Sequence, residues 1–186
     1  MSGAPPALEP LPATAQLSPR VLTVLGQNPG RMTLQGTNTY LVGTGATRLL
    51  IDTGEGAAAW ADNLRALMGR LGCTALSAIL LTHWHHDHAG GLPDAALLLA
   101  PGGAVYKAQG ARDIPASLLA RCNPPHGLAA SAVRPISDGQ LFETEGARLT
   151  ALSTPGHTED HTSFLLQEEG AVFSGDTILG AGTGEQ

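Results

Sequence analysis

Three features of this 186-residue sequence predict an α/β fold built from short elements. The stretch from Arg48 to Leu81 reads as strand, amphipathic helix and buried strand, and it runs straight into a histidine-rich loop. Functional loops at the carboxyl ends of strands are the usual arrangement in α/β sheets. The chain also carries 24 glycines and 13 prolines, which call for many tight turns and argue against a helical bundle. At 42% hydrophobic but only 4% aromatic, it can bury a core made of Leu, Val, Ile and Ala. Its length suits one domain, or most of a larger one.

Residues 1–19 are rich in Pro and Ala, with one acid and no base, and read as a disordered tail. They lack the basic start and apolar core of a signal peptide and the arginines of a transit peptide. Order is expected from Arg20, with residues 20–186 as a single domain. Val21 to Leu25 reads as a strand, and Asn28-Pro29-Gly30 forces a turn. Asn38 to Val42 and Arg48 to Ile51 read as a hairpin or meander, the second strand ending at Asp52-Thr53-Gly54. Trp60, Leu64, Leu67, Met68 and Leu71 follow the spacing of an amphipathic helix, with Gly72 as its C-cap. Ala78 to Leu81 is wholly apolar and suits a strand buried on both faces. Asp94 to Ala100 reads as a short helix and Val105-Tyr106 as a strand, whereas residues 108–135 give no clear pattern. Arg148 to Leu152, Thr162 to Leu166 and Ala171 to Ser174 read as three further strands.

The segment His83-Trp84-His85-His86-Asp87-His88 places four imidazoles and a carboxylate within six residues. Imidazole and carboxylate are the usual nitrogen and oxygen ligands of zinc. His83 and His85 are two apart in extended chain and can converge on one cation, with His157 completing a three-histidine set. Asp87 and His88 follow where the chain turns and can face a second cation, with Asp176 bridging the two. Two cations roughly 3.5–4 Å apart can acidify a shared water enough for attack at neutral pH. Asp52 is expected to orient a ligand histidine rather than to bind metal itself. His86 and His126 are read as solvent-facing and Trp84 as packing the loop. His161 stays open between a supporting or substrate-contacting role at the site and a structural hydrogen bond. Asn28, Thr37 and Asn38 are candidates for the site mouth.

Net charge is -6, Lys107 is the only lysine, and no run of basic residues is present, so no broad phosphate-binding surface is advertised. No apolar run reaches the roughly 18 residues needed to span a membrane. Cys73 and Cys122 read as reduced thiols.

His83-x-His85-x-Asp87-His88 resembles the signature of the metallo-β-lactamase superfamily, and Asp52, His157 and Asp176 occur where that family places its supporting motifs. Further stretches are similar to its beta-lactamase-like protein two branch, single-strand-specific endoribonucleases of mitochondria. They are Asn28 to Gly43, Thr82 to His88, Thr154 to His161 and Phe173 to Gly180, within a resemblance running from Arg20 to Gly184. The resemblance implies a four-layer αββα sandwich with its second half incomplete. It implies a zinc-dependent hydrolase with two Zn2+ sites, in which water held by the metals is the nucleophile and Asp87 and Asp52 serve catalysis. Single-stranded RNA is the implied substrate, and the mitochondrial matrix the implied compartment, with the cytoplasm as alternative. A thioesterase or glyoxalase-type hydrolase of small acyl thioesters is the second reading, favoured by the scarcity of basic residues. A non-catalytic metal-binding product is the third. The sequence departs from the family pattern in one respect: no histidine follows His161, so the second cation site is expected to lack one imidazole.

Overall fold

The structure, a computed structural model, describes residues 9–122 and 133–179. Four strands open the chain: β1 (Thr14–Ser18), β2 (Val21–Leu25), β3 (Asn38–Val42) and β4 (Thr47–Ile51). Helix α1 (Ala58–Arg70) leads to β5 (Ala75–Leu80), followed by two short helices, α2 (His86–Ala89) and α3 (Leu92–Ala96). Next come β6 (Leu99–Lys107), α4 (Ala116–Leu119) and β7 (Val133–Pro135). The chain continues through β8 (Leu141–Thr144), β9 (Ala147–Ser153), β10 (Thr162–Leu166) and β11 (Ala171–Phe173) to a 3-10 turn at Gly175–Thr177.

Strands β1 to β7 form one sheet in chain order, and a second sheet has the order β11-β10-β9-β8. The first is antiparallel as far as β4 and parallel from β4 to β7. A parallel neighbour requires a crossover, and α1 supplies it between β4 and β5. Strand alternation then fixes the layers. Leu50 and Ile79 face Trp60, Leu64 and Met68 of α1, together with Leu92 of α3. Leu49, Ile51 and Leu80 face the second sheet, where they meet Phe142, Leu149, Phe164 and Phe173. The described residues thus build helix, sheet and sheet in the sequence of an αββα sandwich. An outer helix on the four-stranded sheet is not among them. Helix α1 ends where the sequence places its cap: Gly72 has φ 65°, and Cys73 N–H bonds to Met68 O at 2.9 Å.

Several boundaries differ from expectation. Thr14–Ser18 lies inside the segment read as a tail, yet it is a strand, because β2 offers it an antiparallel ladder that local composition does not reveal. The helix expected at Asp94 to Ala100 starts earlier and stops at Ala96, and Leu99 and Ala100 already belong to β6. The stretch without a clear pattern holds α4 and β7, and β8 is a further strand that the sequence does not announce. His126 lies outside the described residues. Both cysteines are free, as expected.

Candidate metal centre

The parallel pairing of β4 with β5 sets their carboxyl ends side by side, so Asp52 emerges next to Thr82 and His83. Asp52 has φ 57°, in the left-handed region that Asp tolerates better than most residues. That conformation turns its carboxylate back into the protein, where it is 1% exposed. Oδ1 accepts from Thr82 N–H at 2.8 Å, and Oδ2 accepts from the Thr82 hydroxyl at 2.9 Å and from His88 Nδ1 at 2.8 Å.

These bonds fix two histidine tautomers. His88 gives its Nδ1 proton to Asp52, so Nε2 is the nitrogen it turns toward Asp87 and Asp176, and the one whose proton a bound cation would displace. The Thr82 hydroxyl has one hydrogen, given to Asp52, so at its 3.0 Å contact with His83 Nδ1 it acts as acceptor. His83 therefore presents a bare Nε2. That atom is buried and has no hydrogen-bond partner. A buried acceptor left unpaired is costly unless something else occupies its lone pair, and a cation does so.

His85 lies two residues on in extended backbone and meets His83 with ring centroids 4.6 Å apart. His157 comes from the loop between β9 and β10, with its Nε2 2.9 Å from His85 Nδ1. Asp176, in the 3-10 turn after β11, sits between the two halves of the centre. Its Oδ2 is 3.4 Å from His157 Nε2 and 4.0 Å from His83 Nε2, while Oδ1 is 3.1 Å from His88 Nε2. Donor atoms of His83, His85, His157 and Asp176 all lie within 4.8 Å of one another, and so do those of Asp87, His88 and Asp176. One carboxylate thus belongs to both groups, with Oδ2 toward one and Oδ1 toward the other.

The electrostatics suit a cation. Burial drives His83 far below the usual imidazole range, aided by its histidine neighbours, and lowers His85 in the same way with help from His157. Both rings are neutral donors at pH 7. Burial opposes ionisation of Asp87, but the hydrogen bond and charge of His88 together with the bonds from its own backbone and Thr37 outweigh that and hold the carboxyl at about 2. Burial likewise pushes against His88 ionisation, and the surrounding carboxylates of Asp52, Asp176 and Asp87 together overcome it, raising His88 above the ordinary value.

Several surrounding residues support this geometry. Thr37 donates to Asp87 Oδ2 at 3.2 Å and is itself held by Asn28, whose Oδ1 accepts from Thr37 N–H at 3.0 Å. His161 stands beside the centre: its Nε2 accepts Asp176 N–H at 3.2 Å, and its Nδ1 meets the Thr154 hydroxyl at 2.9 Å. His86 is exposed, and Trp84 packs edge-on against His85 at 4.6 Å. Thr82 is a functional residue that sequence reasoning does not find; a single threonine before a histidine carries no signal of its own. A cleft of about 540 Å³ opens beside Asp87, His88 and Asp176, with Met32, Leu34, Tyr40, Phe173 and Ile178 in its walls.

Comparison with known proteins places this geometry. The family model of the metallo-beta-lactamase superfamily matches residues 32–185. The chain is 46% identical to the lactamase-like protein ptaB of Pestalotiopsis fici over 98% of its own length and 52% of that protein's. It is 48% identical to the atrochrysone carboxyl ACP thioesterase AgnL7 of Paecilomyces divaricatus, over 95% of this chain and 50% of that one. The chain spans about half the length of the curated relatives it matches. Among solved structures, a metallo-beta-lactamase family protein of Thermus thermophilus superposes with a TM-score of 0.68 at 26% identity, covering 90% of this chain and 62% of that one. The curated relatives carry lactamase-like or thioesterase names, so the endoribonuclease branch expected from the sequence is not what they support. The resemblance stands at the broader level: this chain belongs to the metallo-beta-lactamase superfamily.

Proposed function

We propose that this protein is a zinc-dependent thioesterase acting on acyl groups carried as thioesters on an acyl carrier protein. One observation carries the hydrolase part: four donor atoms from four different side chains converge within 4.8 Å, and one of them, His83 Nε2, is buried without a partner. The thioester part is supported by relatives named for that activity. The cleft supports it too. Met32, Leu34, Tyr40, Phe173 and Ile178 among its lining residues give an acyl group apolar surface beside the centre. The expectation of single-stranded RNA therefore yields to the second sequence reading.

In the reaction, water adds to the thioester carbonyl carbon, the carbon–sulfur bond breaks, and a carboxylic acid and a thiol are released. His83, His85, His157 and Asp176 would hold one zinc ion, and Asp87, His88 and Asp176 a second. When bound, such ions acidify water and polarise a carbonyl. The chain's own residues prepare for this. Asp52 and Thr82 fix the His83 and His88 tautomers so that both Nε2 atoms face the centre. Asp87, held ionised and anchored by Thr37, stands ready to accept a proton from the attacking water. His161 pins the backbone of Asp176.

Incubating the purified protein with an acyl thioester of a carrier protein, and separately with labelled single-stranded RNA, tests the proposal. The expected result is thiol release that a chelator stops and zinc restores. Chelator-sensitive RNA cleavage with an inert thioester would return the endoribonuclease reading.

A further inference from the structure

Lys107, the only lysine, is 2% exposed at the end of β6. Its Nζ donates to Asp160 Oδ2 at 2.9 Å and to Ala108 O at 2.6 Å, and lies 3.3 Å from Asp113 Oδ1. Asp160, also 2% exposed, stands three residues after His157 and next to His161. Two more contacts join the same segments. Ala111 N–H bonds to Glu159 Oε2 at 3.1 Å, and Gly110 lies so close that a Cβ there would sit 2.9 Å from that of Asp160. On its other side the segment reaches the first histidine loop: the Arg112 guanidinium lies 5.3 Å from the Trp84 ring centroid, and Trp84 stands between His83 and His85. Residues 107–113 therefore touch both loops that supply the three-histidine group.

An ion pair this deeply buried is weak evidence of stabilisation, because two apolar side chains of similar size often pack as well or better. What it offers instead is direction: a charged hydrogen bond fixes where the loop backbone sits. From this we infer that residues 107–113 are a strap setting the distance between the His83–His85 and His157–His161 segments, with Lys107 and Asp160 as its positioning residues. The inference rests on the metal reading of the centre. It does not depend on which substrate is hydrolysed.

The test measures zinc affinity by competition with a chromogenic chelator, the visible spectrum of the cobalt-loaded protein, and melting of the metal-free form. Lys107→Met and Asp160→Asn should each weaken zinc binding about 10- to 100-fold, the usual loss when a group supporting metal ligands is removed. The first leaves the buried Asp160 charge unpaired and the second weakens the buried pair, so either can unfold the chain and the double variant Lys107→Met/Asp160→Leu is decisive. It should melt cooperatively close to the parent temperature yet keep the weakened affinity and an altered cobalt spectrum. Arg112→Ala, at an exposed position, should leave melting unchanged and shift the cobalt spectrum. Parental affinity and spectrum in the double variant, or in Arg112→Ala should the double variant not fold, would overturn the strap. If the unaltered protein bound no metal, the reading of the centre would fall and the strap with it.

Discussion

Asp52 shows how much one side chain can decide. Its carboxylate accepts from three donors, and through two of them it dictates which nitrogen of His83 and of His88 faces the centre. Asparagine has the same shape but only one accepting oxygen, so Asp52→Asn must turn its amide toward Thr82 or His88 and lose at least one of these bonds. We expect Asp52→Asn to retain measurable metal binding while losing about 10- to 100-fold in affinity and turnover. His85→Ala, which removes a donor outright, should strip the more tightly held ion. Metal as completely lost from Asp52→Asn as from His85→Ala in equilibrium dialysis would make Asp52 a direct ligand. The two groups of donors are also unequal. One contains three imidazoles and a carboxylate, the other a single imidazole and two carboxylates. Metal analysis during stepwise dialysis should therefore show one zinc ion retained and a second lost earlier; two ions leaving together would contradict that ranking.

At the scale of elements, the short helix α2 is held by contact with the loop that follows β4. Thr53 N–H and its hydroxyl both bond to His88 O, at 2.8 and 2.9 Å. Gly90 and Gly91 make the approach possible, since a Cβ on Gly91 would collide with Thr53 O and the Trp60 ring. Backbone on one side and a fully buried indole on the other leave little room to relax. Gly91→Ala should cost about 1–3 kcal/mol by overpacking and should lower metal affinity, because α2 carries Asp87 and His88; calorimetric melting with metal titration checks both. The same contrast explains what is legible in the sequence. The bounds of β2, β3 and β10 follow from apolar residues in runs that turns clearly end. Strand β1 has no fully buried residue and exists through its pairing with β2. Strand β6 reads as a fragment because Pro101-Gly102-Gly103 interrupts it, where the structure has a register shift between Leu76 and Ala78 of β5. The histidines and carboxylates of the centre are legible because few other environments gather such side chains. Thr82, Lys107 and Asp160 are not, since their partners lie 30 to 53 residues away and nothing local marks them.

Across the whole molecule, neighbours in each sheet are neighbours in the chain: β1 to β7 in one, β8 to β11 in the other. The metal centre is organised the opposite way, drawing on residues from His83 to Asp176 and both sheets. This difference sets a direction of assembly. A nascent strand finds its partner already made, and β1-β2, β3-β4, β8-β9 and β10-β11 close across turns of only a few residues at little entropy cost. Neither donor set is complete until the second sheet, whose loops carry His157 and Asp176, has docked, so the cation binds in full only to a finished fold. Contacts formed after the transition state govern how fast a protein comes apart and hardly affect how fast it forms. Stopped-flow measurements should therefore show refolding at the same rate with and without zinc, and unfolding slowed by zinc. The cation would act as a latch on a finished fold, and in cells short of zinc the protein would still fold but would not stay folded as long.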